Sequence, residues 1–164
     1  MRLLTGTAAI DDLDSFLGEL DHIGSEYACA VQAFDARYVA GPAHLERAVT
    51  LANRATGRGE AIARKRSVEI LLYAAGRRQI NRAFEIGIEE GEQEVVIVVD
   101  GEDESGAIEA LSAVVEPADW GPGDRADEER ITEFYAITDD ERAATDASLE
   151  ELVRERVALL VVER

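Results

Sequence analysis

The chain has 164 residues, 46% of them hydrophobic, which is enough for one cored domain. Its single cysteine, Cys29, excludes an internal disulfide. Its longest apolar runs, Ile70 to Ala75 and Val157 to Val162, are far below membrane-spanning length. Acidic residues outnumber basic ones 35 to 17, the net charge is −18, and Lys65 is the only lysine. Such a surface stays hydrated where molar salt screens charge, so the composition resembles that of a salt-loving archaeal protein. The alternative is an ordinary acidic protein that prefers partners of opposite charge. Met1 to Ile10 is too short and too interrupted for a signal peptide. A soluble, cytoplasmic protein with no membrane partner is expected.

Arg2 to Ala9 reads as a first strand. Asp11 or Asp12 can cap a following helix with Leu13, Phe16, Leu17 and Leu20 on one face. Ala28 to Phe34 reads as a second strand, continuing extended through Asp35 to Ala40. Cys29 lies in its apolar run and is expected to act as a small hydrophobe. Pro42 suits the first turn of a helix and Gly57 its end. Arg58 to Lys65 is a polar connector, and Ser67 can cap the next helix. That helix, Val68 to Ala75, is apolar on nearly every side and should be central. Gly76 stops it. Arg77 and Arg78 open a short helix that buries Ile80, Ala83 and Phe84 and ends at Gly87.

The run Glu94 to Asp100 is β-branched throughout its centre, as in a strand covered on both faces. Gly106 to Val115 reads as a helix and Glu116 to Glu129 as a loop. Ile131 to Ile137 reads as a further strand, and Asp146 to Val157 as a final helix. Ala158 to Val162 could extend that helix or form a strand. The order predicts an α/β fold as a single domain over residues 1–164. It should have one mixed, largely antiparallel sheet of four to five strands packed with several helices.

Chemistry is sparse. No phosphate-cradling glycine motif follows a strand, so nucleotide binding is not indicated. His22 and His44 are far apart and there is one cysteine, so no metal site and no cofactor are expected. His44 should be a surface or satisfied histidine. Ser67 lacks a nucleophile-elbow context, and Asp100 more simply starts a turn with Gly101. No catalytic residues are assigned, and the chain is not expected to be an enzyme.

One feature survives the search. Arg54, Arg58, Arg64, Lys65, Arg66, Arg77, Arg78 and Arg82 fall between residues 54 and 82, opposed only by Glu60 and Glu69. That stretch carries +6, so the remainder of the chain carries −24. A basic island in an acidic molecule suits a surface that meets phosphate, although pairing with acidic neighbours in the fold would also explain it. Arg64, Lys65 and Arg66 precede the central helix and Arg77, Arg78 and Gln79 follow it. A separation of about 12–15 Å at 1.5 Å per residue suits a few nucleotides of a single strand. Arginine also stacks on bases, which works when salt weakens Coulomb contacts.

Several segments together resemble one family. They are Phe34-Asp35-Ala36-Arg37-Tyr38-Val39-Ala40-Gly41, His44-Leu45, Ala48-Val49, Ser67 to Tyr73, Arg78-Gln79-Ile80, Ala83-Phe84, Gly87-Ile88 and the strand at Val95. The chain resembles the PRPK-binding protein family, the small kinase-binding subunits of the KEOPS complex. The match is strongest from Ala33 to Asp100 and weak from Gly101 to Glu129. The acidic loops and the shortage of lysine depart from the family pattern.

The resemblance implies a mixed α/β fold and a non-catalytic role in making threonylcarbamoyladenosine on tRNA. It implies direct binding and activation of the complex's atypical kinase. The catalytic subunit and a small dimerising subunit would be indirect partners. It also implies that the subunit holds the single-stranded 3′ CCA end of tRNA. The matched segment suggests Arg77, Arg78 and Gln79 for the RNA, and charge adds Arg64, Lys65, Arg66 and Arg82. For the kinase, the C-terminal helix offers Leu149, Leu152, Val153 and Val157, which core packing would explain equally well. A stand-alone small-ligand regulatory domain is the alternative, and an unrecognised hydrolase is a third class. A deep apolar pocket with converging polar groups would favour either of these.

Overall fold

A computed structural model describes residues 1–162 of the chain. Four strands form one antiparallel sheet: β1 (Arg2–Ile10), β2 (Cys29–Asp35), β3 (Gly91–Gly101) and β4 (Glu116–Pro117), in the order β2-β3-β1-β4. β3 sits between β1 and β2, with Leu4 opposite Ile97 on one side and Ala33 opposite Ile97 on the other. Val95 to Val99 are all fully buried. Because side chains alternate along a strand, Val96 and Val98 enter one core while Val95, Ile97 and Val99 enter the other. The β-branched run is therefore covered on both faces, as its composition requires.

One face carries α1 (Leu13–Tyr27) and α5 (Glu104–Leu111), which also pack on each other. Asp12 caps α1 by accepting from the Ser15 N–H. Phe16, Leu20 and Ile23 of α1 enter the core, while Leu17, expected beside them, is 38% exposed. The other face carries α2 (Pro42–Gly57), α3 (Arg66–Ala75) and α8 (Leu149–Val162), which pack on one another. Between α3 and β3 lies the four-residue α4 (Ile80–Ala83), and the short α6 (Glu128–Phe134) and α7 (Asp139–Ala143) precede α8.

Four local expectations change. Residues 131–137, read as a strand, belong to α6 and its C-terminal turn. Asp127 caps that helix, and Ile131 and Phe134, one turn apart, enter the core. Spacing of i and i+3 suits a helix, and the alternation was too short to separate the two periods. Residues 36–38 form a 3₁₀ turn, not an extended continuation of β2, because the Asp35 side chain accepts from the Arg37 N–H. α3 begins at Arg66, one residue before Ser67, and has no side-chain cap. α4 begins at Ile80, not at Arg77, and both Ile80 and Phe84, which opens the 3₁₀ turn after it, are exposed although expected inside. Residues 158–162 continue α8.

α2 spans Pro42 to Gly57 as its punctuation suggests, and Gly59, with φ of 70°, closes it by letting the Glu60 N–H reach the Ala55 carbonyl. Gly76, with φ of 64°, does the same for α3: the Arg77 N–H bonds the Leu72 carbonyl.

The two layers of helices on the second face are pinned by a buried polar group. His44 is fully buried; its Nδ1 accepts from the Ala40 N–H, so its Nε2 carries the proton and donates to the Ala74 carbonyl at 2.9 Å. The Tyr135 hydroxyl donates to the same carbonyl at 2.6 Å. α2, α3 and the segment after α6 thus meet at one oxygen. Burial lowers the His44 pKa from 6.5 to about 4, although the bond to Ala74 acts in the opposite direction. Unfolded His44 takes a proton near its ordinary pKa, while folded His44 stays neutral, so stability falls as pH drops from about 6.5 to about 4. The loss should be about 3 kcal/mol. We therefore expect the stability gap between the native chain and His44→Gln, from urea unfolding, to narrow by about that amount between pH 7 and pH 4. A constant gap would exclude this histidine as the titrating group.

Candidate nucleic-acid and partner interface

The basic island divides into two groups at the two ends of α3. Arg64, Lys65 and Arg66 lie at its start, and Arg77, Arg78 and Gln79 directly follow Gly76 at its end. Ten residues at 1.5 Å each separate them by about 15 Å along the helix axis. The middle of α3 contributes nothing to the surface, since Ile70 to Ala75 are all buried.

The charged side chains serve different purposes. Arg66 is turned inward. Its guanidinium bonds the Asp100 carboxylate at 2.5 Å, the Asn53 carbonyl oxygen at 3.0 Å and the backbone carbonyl of Asp100. Asn53 in turn donates to Asp100 at 2.9 Å, closing a triangle that ties α2 and α3 to the end of β3. Burial pushes the Asp100 carboxyl upward, but its bonds from Asn53 and Arg66 and the Arg66 charge outweigh that and hold its pKa below the ordinary value. Arg77 is also committed: it donates to the Phe134 carbonyl and lies 4.8 Å over the Phe134 ring.

Lys65 reaches Asp21 of α1 at 2.7 Å, with both side chains more than half exposed. Arg82 pairs with Glu85 at 3.4 Å on the surface. Exposed pairs of this kind are worth little and are readily exchanged for another anion. The side chains of Arg64 and Arg78 are exposed and make no hydrogen bond or ion pair among the described residues, and the same holds for the side chains of Arg54 and Arg58 at the end of α2. Gln79 is exposed at the cap position of α4. Beside Arg78 and Arg82, the side chains of Ile80 and Phe84 are 44% and 57% exposed. Their i, i+4 spacing reads as one buried helix face, and nothing along the sequence places these two apolar residues outside.

The connector before α3 is built around a residue the charge count had treated as a mere counter-charge. Glu69 is fully buried. Its carboxylate accepts the Ile62 N–H at 2.9 and 3.1 Å and the Ala63 N–H at 2.7 Å. A lone carboxylate inside an apolar helix was the sequence signal for such a role.

On α8, Leu152, Val153 and Val157 are buried against α2 and α3, and Leu149 is half-buried at the helix start. These four residues, expected as a possible kinase face, form the inward side of the helix. Its outward apolar residues are Leu159, Val161 and Val162.

Between α1, the start of β2 and the start of α3 runs an open groove of about 340 Å³, lined by Leu20, Asp21, Cys29, Lys65 and Arg66 among others. Lys65 and Asp21 join its walls. Cys29 is partly buried there and its thiol donates to the Tyr27 carbonyl; burial raises its pKa. Among the described residues, no three His, Cys, Asp or Glu side chains cluster to hold a metal, and no helix is long and apolar enough to cross a membrane.

The antiparallel sheet with helices on both faces defines a mixed α/β domain. The family model described as kinase binding protein CGI-121 matches residues 15–160, and the chain belongs to that family. No curated protein matches the chain.

The inward and outward arginines should separate in stability measurements. Arg66→Ala leaves Asp100 without its strongest partner and should cost about 1–3 kcal/mol in urea unfolding. Arg64→Ala and Arg78→Ala should stay within about 0.5 kcal/mol of the native chain. Equal losses in all three would mean that Arg64 and Arg78 also support the fold.

Proposed function

We propose that the chain is a non-catalytic subunit of the KEOPS complex that binds and activates the complex's atypical kinase and holds the 3′ CCA end of tRNA. The observation that carries the proposal is the kinase-binding family match over residues 15–160. The KEOPS catalytic subunit and the small dimerising subunit are partners through the same assembly. The outward apolar residues of α8, Leu159, Val161 and Val162, are the better candidates for the kinase face, because the inward residues already serve the core. Kinase titrated into the purified chain at high salt should give a one-to-one complex by calorimetry, and the chain alone should hydrolyse no ATP. Saturable hydrolysis by the chain alone would sink the non-enzyme reading.

The RNA part of the proposal rests on charge and exposure. Arg64 and Arg78, at either end of α3, can reach phosphates a few nucleotides apart, with Lys65, Gln79 and Arg82 near them in sequence. Arg66 and Arg77 support the backbone beneath them through their internal bonds. The exposed side chains of Ile80 and Phe84, which follow Arg78 closely in sequence, offer apolar surface on which an unpaired base can stack. About three phosphate contacts on a single strand give a log–log salt slope near −2, so in molar salt stacking and hydrogen bonding must supply much of the affinity.

Two variants test this. Arg64→Glu with Arg78→Glu should weaken tRNA binding by about 1–3 kcal/mol for each phosphate bond lost. Fold and kinase binding should be unaffected. Trimming the CCA should reduce binding severely even at molar salt. Equal binding of trimmed and intact tRNA in a gel shift would direct the basic island to the duplex body instead. The alternative of a small-ligand regulatory domain finds less support, since the groove beside β2 is open and bridged by a charge pair.

A further inference from the structure

We infer that Glu69 is the positioning residue of the RNA-contacting connector, setting where Arg64 and Lys65 stand without touching the RNA itself. The inference rests on the reading that Arg64 and Lys65 meet RNA. The connector leaves α2 through the left-handed Gly59, and its first turn is closed by the Glu60 N–H on the Ala55 carbonyl. From there to Lys65 it has no regular structure, and Arg58, Gly59, Glu60, Ala61, Arg64 and Lys65 are all exposed. What holds its middle is the Glu69 carboxylate, which accepts the N–H groups of Ile62 and Ala63 at 2.7–3.1 Å.

Those two donors immediately precede Arg64 and Lys65. A carboxylate that accepts from both fixes the direction in which the next two side chains leave the loop. Charge-assisted bonds to backbone N–H groups are about twice as strong as neutral ones. The anchor is rigid because Glu69 is fully buried and its helix is packed on every side. Its place in the first turn of α3 also sets the negative charge against the positive end of the helix. The loop is therefore tied by one side chain to a helix whose residues 70–75 are all buried. Without that tie, Arg64 and Lys65 would have to be ordered at the moment of binding, and the lost entropy would appear as lost affinity.

Glu69→Gln is the informative change. It keeps the volume and the Oε1 that accepts from both N–H groups, but it removes the negative charge and replaces Oε2, which takes the second Ile62 contact at 3.1 Å, with an NH₂ group that repels that N–H. With intact tRNA as the probe, we expect affinity to fall roughly tenfold. Hydrogen exchange at the Ile62 and Ala63 amides should accelerate, and the salt slope should become shallower as phosphate contacts are lost. In an Arg64→Ala/Lys65→Ala background, Glu69→Gln should have no further effect on affinity, because its action runs through those two side chains. Ala63→Pro removes one donor from the loop side and should behave the same way, which keeps the test open should Glu69→Gln fail to fold. Native affinity in Glu69→Gln or Ala63→Pro, with Arg64→Ala/Lys65→Ala impaired, overturns the positioning role and leaves the RNA reading standing. A tenfold loss that persists in the double-alanine background also overturns it. Native affinity in Arg64→Ala/Lys65→Ala itself overturns both.

Discussion

Ile70 to Ala75 of α3 are each at most 1% exposed, and α2, α4, α8 and β2 all pack against that helix. A helix surrounded in this way can offer the surface nothing but its ends. The polar work is therefore pushed into the connector before it and the turn after it. Two basic groups about 15 Å apart are a consequence of running a helix between them whose residues 69–75 are buried. The same burial demands that polar groups in α3 be satisfied. Glu69 takes two backbone donors, and the Ala74 carbonyl takes His44 and Tyr135.

The arginines illustrate why a charge count is a poor map of a surface. In sequence Arg64, Lys65 and Arg66 are one cluster, yet three consecutive side chains at a helix start point in different directions. Arg64 faces solvent, Lys65 crosses to α1, and Arg66 turns under the sheet to Asp100. Arg77 and Arg78 diverge likewise, one onto Phe134 and one outward. Both explanations of the basic island, internal pairing and an open cationic surface, hold for different members of it.

The C-terminal helix shows the same division for apolar side chains. Leu152, Val153 and Val157 follow a helical stripe and close the core over α2 and α3. Leu159, Val161 and Val162 fall off that stripe and remain on the surface, as do Ile80 of α4 and Phe84 just after it.

Much of the architecture was legible in the residues. Pro42 and Gly57 bound α2, Asp12 caps α1, Gly76 ends α3, and the run of valines and isoleucine at 95–99 is the strand buried on both faces. These are local signals, in which a backbone conformation or a period of two is imposed by the residue itself. The family resemblance was legible for the same segments. Where the signal was short, at Ile131 to Ile137, at α4 and in the turn after β2, periodicity could not separate strand from helix or inside from outside, and packing decided. Pairing was beyond the sequence altogether. That Arg66 belongs to Asp100, Lys65 to Asp21, His44 to Ala74 and Glu69 to the amides of Ile62 and Ala63 depends on which elements the fold brings within 3 Å of each other, and no pattern along the chain encodes that distance.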